Sequence, residues 1–277
     1  MTSTGSAPAA RTGPPWRLVA VGLAAGLLGG LLGVGGGIVI VPGLIWACGL
    51  GRHMATGTSL LAILPIAVVG TLTYALSPGG AFDLPASAIL AGGSLVGAVA
   101  GAQVNARMSE HGLRVAFAVV TGLFGLRLVI PLGFGSSADE LPLDALNVAV
   151  LVALGVGGGV LSGLLGVGGS GVVIALLVIA LGTSQVLAQG VALAAVIPTV
   201  IVAAATHRRL GSLEPRTGAI VGLIGVAGAV PGVLAAIALP SDVLRTIFGA
   251  FLVVSSVRTL GAVYGPRART RATPGPP

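Results

Sequence analysis

The sequence predicts an all-α polytopic membrane protein built from two inverted repeats, each a glycine-rich broken, re-entrant hairpin followed by three transmembrane helices. Three observations carry that prediction. The 277 residues are 55% hydrophobic and only 8% charged, with a mean hydropathy of +1.07, far from the roughly 25% charge of an average soluble domain. Apolar segments of about the length of a bilayer crossing follow one another along most of the chain. The breaker GLLGVGGG, Gly30 to Gly37, returns as GLLGVGGS, Gly163 to Ser170.

The same composition excludes several functions. All 14 basic side chains are arginine. They sit in short loops and tails, not on one basic face with interleaved aromatics, so the net charge of +7 does not point to nucleic acid. A single cysteine, Cys48, leaves no internal disulfide and no cysteine metal cluster. No nucleophile–base pair and no His/acid cluster is present, and the glycine pattern lacks the strand context of a dinucleotide site. Neither an enzyme nor a bound metal or cofactor is expected.

Taken in order, residues 1–16 are a polar, Pro- and Gly-containing tail expected to be disordered. Repeat 1 occupies 17–134, with apolar segments at 17–50, 55–76, 84–104 and 113–134. An acidic linker, 135–142, follows. Repeat 2 occupies 143–264, with segments at 143–182, 185–206, 216–239 and 243–264, and 265–277 is a basic, disordered tail. A crossing needs roughly 20 residues, which six of the eight segments fit. The segment 17–50 would be about 51 Å long as one helix, against a hydrocarbon core of about 30 Å.

The two long segments open halves that align. Gly33, Gly35 and Gly36 fall on Gly166, Gly168 and Gly169 at a shift of 133, and Pro65 falls on Pro198; after a two-residue adjustment Asp83 meets Glu214 and Arg127 meets Arg258. Chance matching of apolar residues does not put a proline and arginines into register, so the chain is an internal duplication. Short cytoplasmic loops carry the arginine excess of a multi-pass protein. Arg17 and Arg52 flank the first long segment, Asp83 follows the next crossing, and Arg208, Arg209 and Arg216 follow the segment at 185–206. Both termini are therefore expected in the cytoplasm and the linker outside, with a hairpin plus three crossings in each half inverting the second half. Arg245, near the start of the segment 243–264, fits least well.

A hairpin that turns near the midplane needs the positive φ angles and close backbone approach that glycine permits. Non-helical backbone at that depth is tolerated only inside protein or along a wet cavity, so the two GVGG clusters are expected to mark a cavity. Glycines at four-residue spacing have another use, close helix packing. That role is assigned to Gly93, Gly97 and Gly101 and to Gly228 and Gly232.

GLLGVGGGIVIVPGLI, then ATGTSL (Ala55 to Leu60) and GAFD (Gly80 to Asp83), with GLLGVGGSG and LGSLEP (Leu210 to Pro215) in the second half, resemble the sulfite exporter TauE/SafE family of membrane transporters. The resemblance covers about residues 17–264. It implies a plasma-membrane (bacterial inner membrane) permease exporting a small anion such as sulfite, an organosulfonate or a small carboxylate. The second hairpin departs from the pattern, with Ser170 in the glycine run and Ala175 opposite Pro42.

The residues themselves point the same way. All seven acids lie in loops or at segment ends, whereas a cation carrier needs an acid within the membrane. An anion can be held by helix N-termini, which offer bare N–H groups and the positive dipole end; inverted-repeat transporters place such ends near the midplane. The candidate substrate site is therefore Gly33, Gly35, Gly36 and Gly37 facing Gly166, Gly168, Gly169 and Ser170. Thr58, Ser59, Gln185 and Gln189 follow the hairpins, as substrate ligands or as helix caps. Pro65 and Pro198 are expected to kink matching crossings and free carbonyls toward the path. Tyr74 and His207 occupy equivalent ends, with interfacial anchoring as their ordinary role. Arg127 and Arg258 are expected to snorkel to the membrane surfaces. The expected partners are a small anion and the lipid bilayer, with coupling to protons or sodium open, and an anion channel or a non-transporting scaffold as the competing classes.

Overall fold

The computed structural model describes residues 14–105, 110–130, 141–165 and 170–264. Among them are ten helices and no strand: α1 (Pro15–Leu32), α2 (Gly37–Cys48), α3 (Arg52–Leu76), α4 (Leu84–Asn105), α5 (Glu110–Val129), α6 (Ala145–Leu165), α7 (Ser170–Leu181), α8 (Gln185–Arg209), α9 (Pro215–Ala238) and α10 (Ser241–Tyr264). Five, beginning at Pro15, His53, Gln185, Pro215 and Ser241, are long and apolar enough to cross a membrane. The chain is a multi-pass membrane protein.

The segment 17–50 is two helices. α1 starts at Pro15, two residues before the expected boundary, because proline at the first helical position has its φ preset and no N–H to leave unpaired. It ends at Gly33 (φ 67°), and α2 begins after Gly36 (φ 78°), with Gly35 (φ 69°) between them. An L side chain in that left-handed region costs roughly 1–2 kcal/mol, so the three glycines permit the turn.

α1 and α2 run antiparallel. Gly29 lies against the backbone of Gly35 and Gly36, Gly36 faces the Ala25 carbonyl, and Gly43 meets Val21. At the outer ends Trp16 and Trp46 meet edge to face at 6.0 Å, and the Arg17 guanidinium lies 4.7 Å from the Trp46 ring. The start of α1 and the end of α2 therefore lie side by side. The limbs are unequal, 18 and 12 residues, or about 27 and 18 Å. α2 is too short to cross a membrane, while α1 is of crossing length. α1 extends because Gly26, Gly29 and Gly30 stay helical, where each permits a backbone to approach within van der Waals contact.

That approach is the principle of the whole bundle. α1 and α9 lie parallel with backbones touching: Gly26 meets the Gly225 carbonyl, Gly30 the Ala229 carbonyl, Gly228 the Leu23 carbonyl and Gly232 the Leu27 carbonyl. α4 and α6 do the same, Gly93 facing the Val152 carbonyl and Gly97 the Val156 carbonyl. Gly93, Gly97, Gly228 and Gly232 are packing glycines, as expected; the side chain position of Gly101 lies outside the described residues. Lipid tails are as apolar as leucine, so what holds such helices together is dispersion at short range, which small residues maximise. α1 is therefore packed on α9, and α4 on α6.

α3 and α8 cross the centre antiparallel. Gly57 near the start of α3 packs against His207 and the Ser212 carbonyl, whereas Gly190 near the start of α8 packs against Tyr74 and the Ala81 carbonyl. The loop after α3 and the loop after α8 therefore lie at opposite ends of the bundle. Both helices continue through their prolines, Pro65 and Pro198, which deprives the Leu61 and Ala194 carbonyls of their usual donors. α5 and α10 also pair antiparallel, Ser256 donating to the Ala118 carbonyl at 2.6 Å.

Candidate functional site: the first hairpin turn and the start of α8

The turn from Gly33 to Gly36 sits between α3 and α8. A side chain on Gly35 would strike Ile63 at 2.9 Å, and Leu193 lies 3.8 Å away; one on Gly33 would strike the Cβ of Gln189 at 2.6 Å. Val34 belongs to the same buried cluster as Val173 and Ile174 of α7, so the first turn and the second limb of the second hairpin share one core. α2 has no side-chain cap. Val39 and Ile40 donate to the Gly36 carbonyl at 2.9 and 3.0 Å, which leaves the Gly37 and Ile38 N–H groups of the first turn without an acceptor within the helix, at the positive end of its dipole.

Gln189 is fully buried beside this turn. Its Oε1 lies 2.8 Å from the Tyr74 hydroxyl, which also lies 2.9 Å from the Gly30 carbonyl. One phenolic proton is shared between two acceptors, tying the end of α1, the end of α3 and the start of α8 into one knot. On the other side of the amide, Nε2 is buried with no partner. Ser170, the first residue of α7, is likewise buried with a partnerless Oγ. Buried polar groups are nearly always hydrogen-bonded, so both are openings for a ligand or water.

The structure brings Gly33, Gly35, Gly36, Gly37 and Gln189 together. Gly166, Gly168 and Gly169 lie outside the described residues. Thr58 and Ser59 are elsewhere on α3, about 24 Å along the helix from Tyr74 in the case of Thr58. The Thr58 hydroxyl accepts from the Glu214 N–H at 3.0 Å, and Ser59 donates to the Thr56 carbonyl at 2.8 Å. Capping belongs to none of the four polar residues named from sequence. Ser184 caps α8, accepting from the Leu187 N–H at 3.2 Å, and Gly51 precedes α3 without a side-chain cap.

Tyr74 is not an interfacial anchor. It is completely buried, and its partners are 44 and 115 positions away in the chain, so no local pattern announces them. His207, its counterpart, is half-buried with Nδ1 2.9 Å from the Ser212 hydroxyl.

Three of the acids have partners at helix ends. Asp83 Oδ1 accepts from the Ala86 N–H at 2.8 Å, and its aligned partner Glu214 accepts from the Thr217 N–H at 2.6 Å. These two acids, aligned in the sequence, cap α4 and α9. Arg245, in the first turns of α10, pairs with Asp242 at 2.8 Å. Among the described residues, no carboxylate is buried.

A family model described as Sulfite exporter TauE/SafE matches residues 2–128 and 151–277. The chain belongs to the TauE/SafE family. Two relatives come from Bacillus subtilis (strain 168). Probable membrane transporter protein YunE is 30% identical over 178 residues, 57% of this chain and 64% of that one. Probable membrane transporter protein YdhB is 32% identical over 113 residues, 41% of this chain and 45% of that one. The matched region thus spans less than two thirds of either relative. No solved structure matches. In this TauE/SafE member, Tyr74 was visible in the sequence as an interfacial residue, but its burial against Gly30 and Gln189 was not.

Proposed function

We propose that this protein is a secondary transporter that exports a small anion, such as sulfite, an organosulfonate or a small carboxylate, across the plasma membrane. The observation that carries the proposal is the uncapped start of α2 within the bundle core, beside the partnerless Gln189 Nε2. Donors gathered in a low-dielectric interior suit an anion, and the described acids serve as caps or ion-pair partners at helix ends. The names of the TauE/SafE family and of its two relatives support the transport class.

Alternating access is supported by the packing. Antiparallel α3 and α8, together with the exchanged pairs α1·α9 and α4·α6, are what two inverted repeats would produce, and the paired Trp16 and Trp46 favour a re-entrant first hairpin. The substrate site then comprises Gly33, Gly35, Gly36, Gly37 and Gln189 with Gly166, Gly168, Gly169 and Ser170. The α3 residues Thr58 and Ser59 would lie nearer the cytoplasmic entrance. Inverted-repeat transporters rock around a site at the interface of their repeats.

The deciding experiment loads proteoliposomes with sulfite, sulfoacetate, thiosulfate, sulfate or acetate and follows flux and counterflow. Saturable flux with counterflow of at least one of these anions is expected. Non-saturating flux without counterflow would indicate a channel, and transport of organic cations alone would overturn the reading. Orientation is tested separately in a Cys48→Ser background. Pro78→Cys should react with an impermeant maleimide added outside cells, whereas Arg216→Cys should react only after permeabilisation. The opposite result inverts the topology.

A further inference from the structure

One turn before Gln189, the start of α8 carries polar atoms that neither the fold nor the hairpin site uses. Gln185 is 2% exposed, and both its amide atoms, Oε1 and Nε2, are buried without a partner. Thr183, two residues earlier and also 2% exposed, has a buried, partnerless hydroxyl. Gln185 and Gln189 are four residues apart, so their side chains lie on one face of α8 about 6 Å apart along its axis. Gln189 Nε2 is the next partnerless atom on that face. Capping does not explain Gln185, because Ser184 performs it.

A buried amide with neither half satisfied costs the full desolvation of the group, and no structural return for that cost is visible here. A functional return is. Gln185 Nε2 and Gln189 Nε2 offer N–H donors, Thr183 offers a hydroxyl, and the first N–H groups of α8 point toward the same end with the positive dipole behind them. Gln185 Oε1 adds one acceptor.

We propose that Thr183, Gln185 and Gln189 form a second binding station for the oxygens of a small oxyanion, a sulfonate or carboxylate, one helical turn from the Gly33–Gly36 turn on the side of the α7–α8 connection. The inference rests on the transport reading above and extends it. The anion passes between the hairpin turn and this station along a single face of α8, exchanging one set of neutral donors for another, and Gln189 touches both. The acceptor Gln185 Oε1 takes the Thr183 hydroxyl or a hydroxyl on the substrate, which favours hydroxylated or singly protonated anions.

The test uses the full chain in detergent and reads thermal unfolding against sodium methanesulfonate or sodium acetate, with sodium chloride at matched ionic strength as the reference. In the parent, methanesulfonate or acetate raises the unfolding temperature above the chloride value. Gln185→Leu swaps an unsatisfied amide for an apolar group of similar size, so the anion-free protein should be as stable as the parent or more so. Its anion affinity should fall about tenfold or more, the value of a hydrogen bond to a charged group. Thr183→Val should act in the same direction, and Gln185→Met replaces the leucine variant if that one does not fold. If Gln185→Leu or Gln185→Met binds the probes as tightly as the parent, or loses stability with affinity unchanged, Gln185 is structural and the station is wrong. If the parent responds to neither probe and carries no anion in vesicles, the transport reading fails and the station falls with it.

Discussion

Gly36→Val is expected to abolish transport and to lower stability by roughly 2–5 kcal/mol. Two physical terms add. Gly36 has φ 78°, where an L side chain costs about 1–2 kcal/mol and a β-branched one more. A Cβ there would also run into the Ala25 carbonyl of α1; that atom is backbone in a packed helix, and forced repacking costs about 1–3 kcal/mol. The turn can relax only by swinging the start of α2, and with it the N–H groups proposed to hold the anion. Gly49→Ala separates the terms. Gly49 has φ 64°, but nothing lies within 4 Å of its added carbon, so the variant should lose only about 1–2 kcal/mol and keep transport. Thermal unfolding in detergent and anion flux in vesicles read both effects. A Gly36→Val protein that folds and transports like the parent would discard the hairpin-turn site, and the membrane ends near Arg127 and Arg258 would become the better place to look.

Gly26→Val is expected to cost about 3 kcal/mol or more and to reduce the yield of monodisperse protein, because it wedges apart two helices whose backbones touch. The added Cβ meets the Gly225 carbonyl and stands 3.0 Å from the Ala229 N, with no flexible side chain end able to yield. α1 and α9 would have to separate along their length, forfeiting the close dispersion contacts that hold membrane helices together. The matched control is Gly157→Val in α6, an exposed glycine with nothing within 4 Å, which should change stability by less than about 1 kcal/mol. The two glycine classes then differ in kind. Folded Gly26→Val should bind anion with nearly parental affinity, whereas Gly36→Val should not bind it at any yield. Equal loss of affinity in both would merge the packing and site roles that the geometry separates.

Much of this protein was determined by its sequence alone. Hydropathy and segment length place it in a membrane, since about 20 apolar residues without a charge have no stable home in water. The break at Gly33 to Gly36 was legible because three glycines in four residues allow backbone angles that other residues resist. The packing role of Gly97 and Gly228 was legible for a related reason: a small residue on an apolar helix is informative only as an absence of bulk. The pairing of Asp83 with Glu214 was visible as register, although not as a pair of helix caps.

What only the tertiary structure decided concerns contacts between distant parts of the chain. Nothing local to Tyr74 says that it is buried against Gly30 and Gln189, or that Thr58 is spent on the Glu214 N–H at the other end of α3. Side-chain hydrogen bonds across 115 or 156 positions leave no periodicity to detect. The unequal hairpin limbs were hidden for the same reason, because Gly26, Gly29 and Gly30 look like helix breakers until α9 is laid against α1. Sequence pattern records the solvent each segment prefers and the backbone angles it can adopt. Whether a polar atom has a partner is a property of the packed whole, and on that property the distinction between a cap, a knot and a binding group depends.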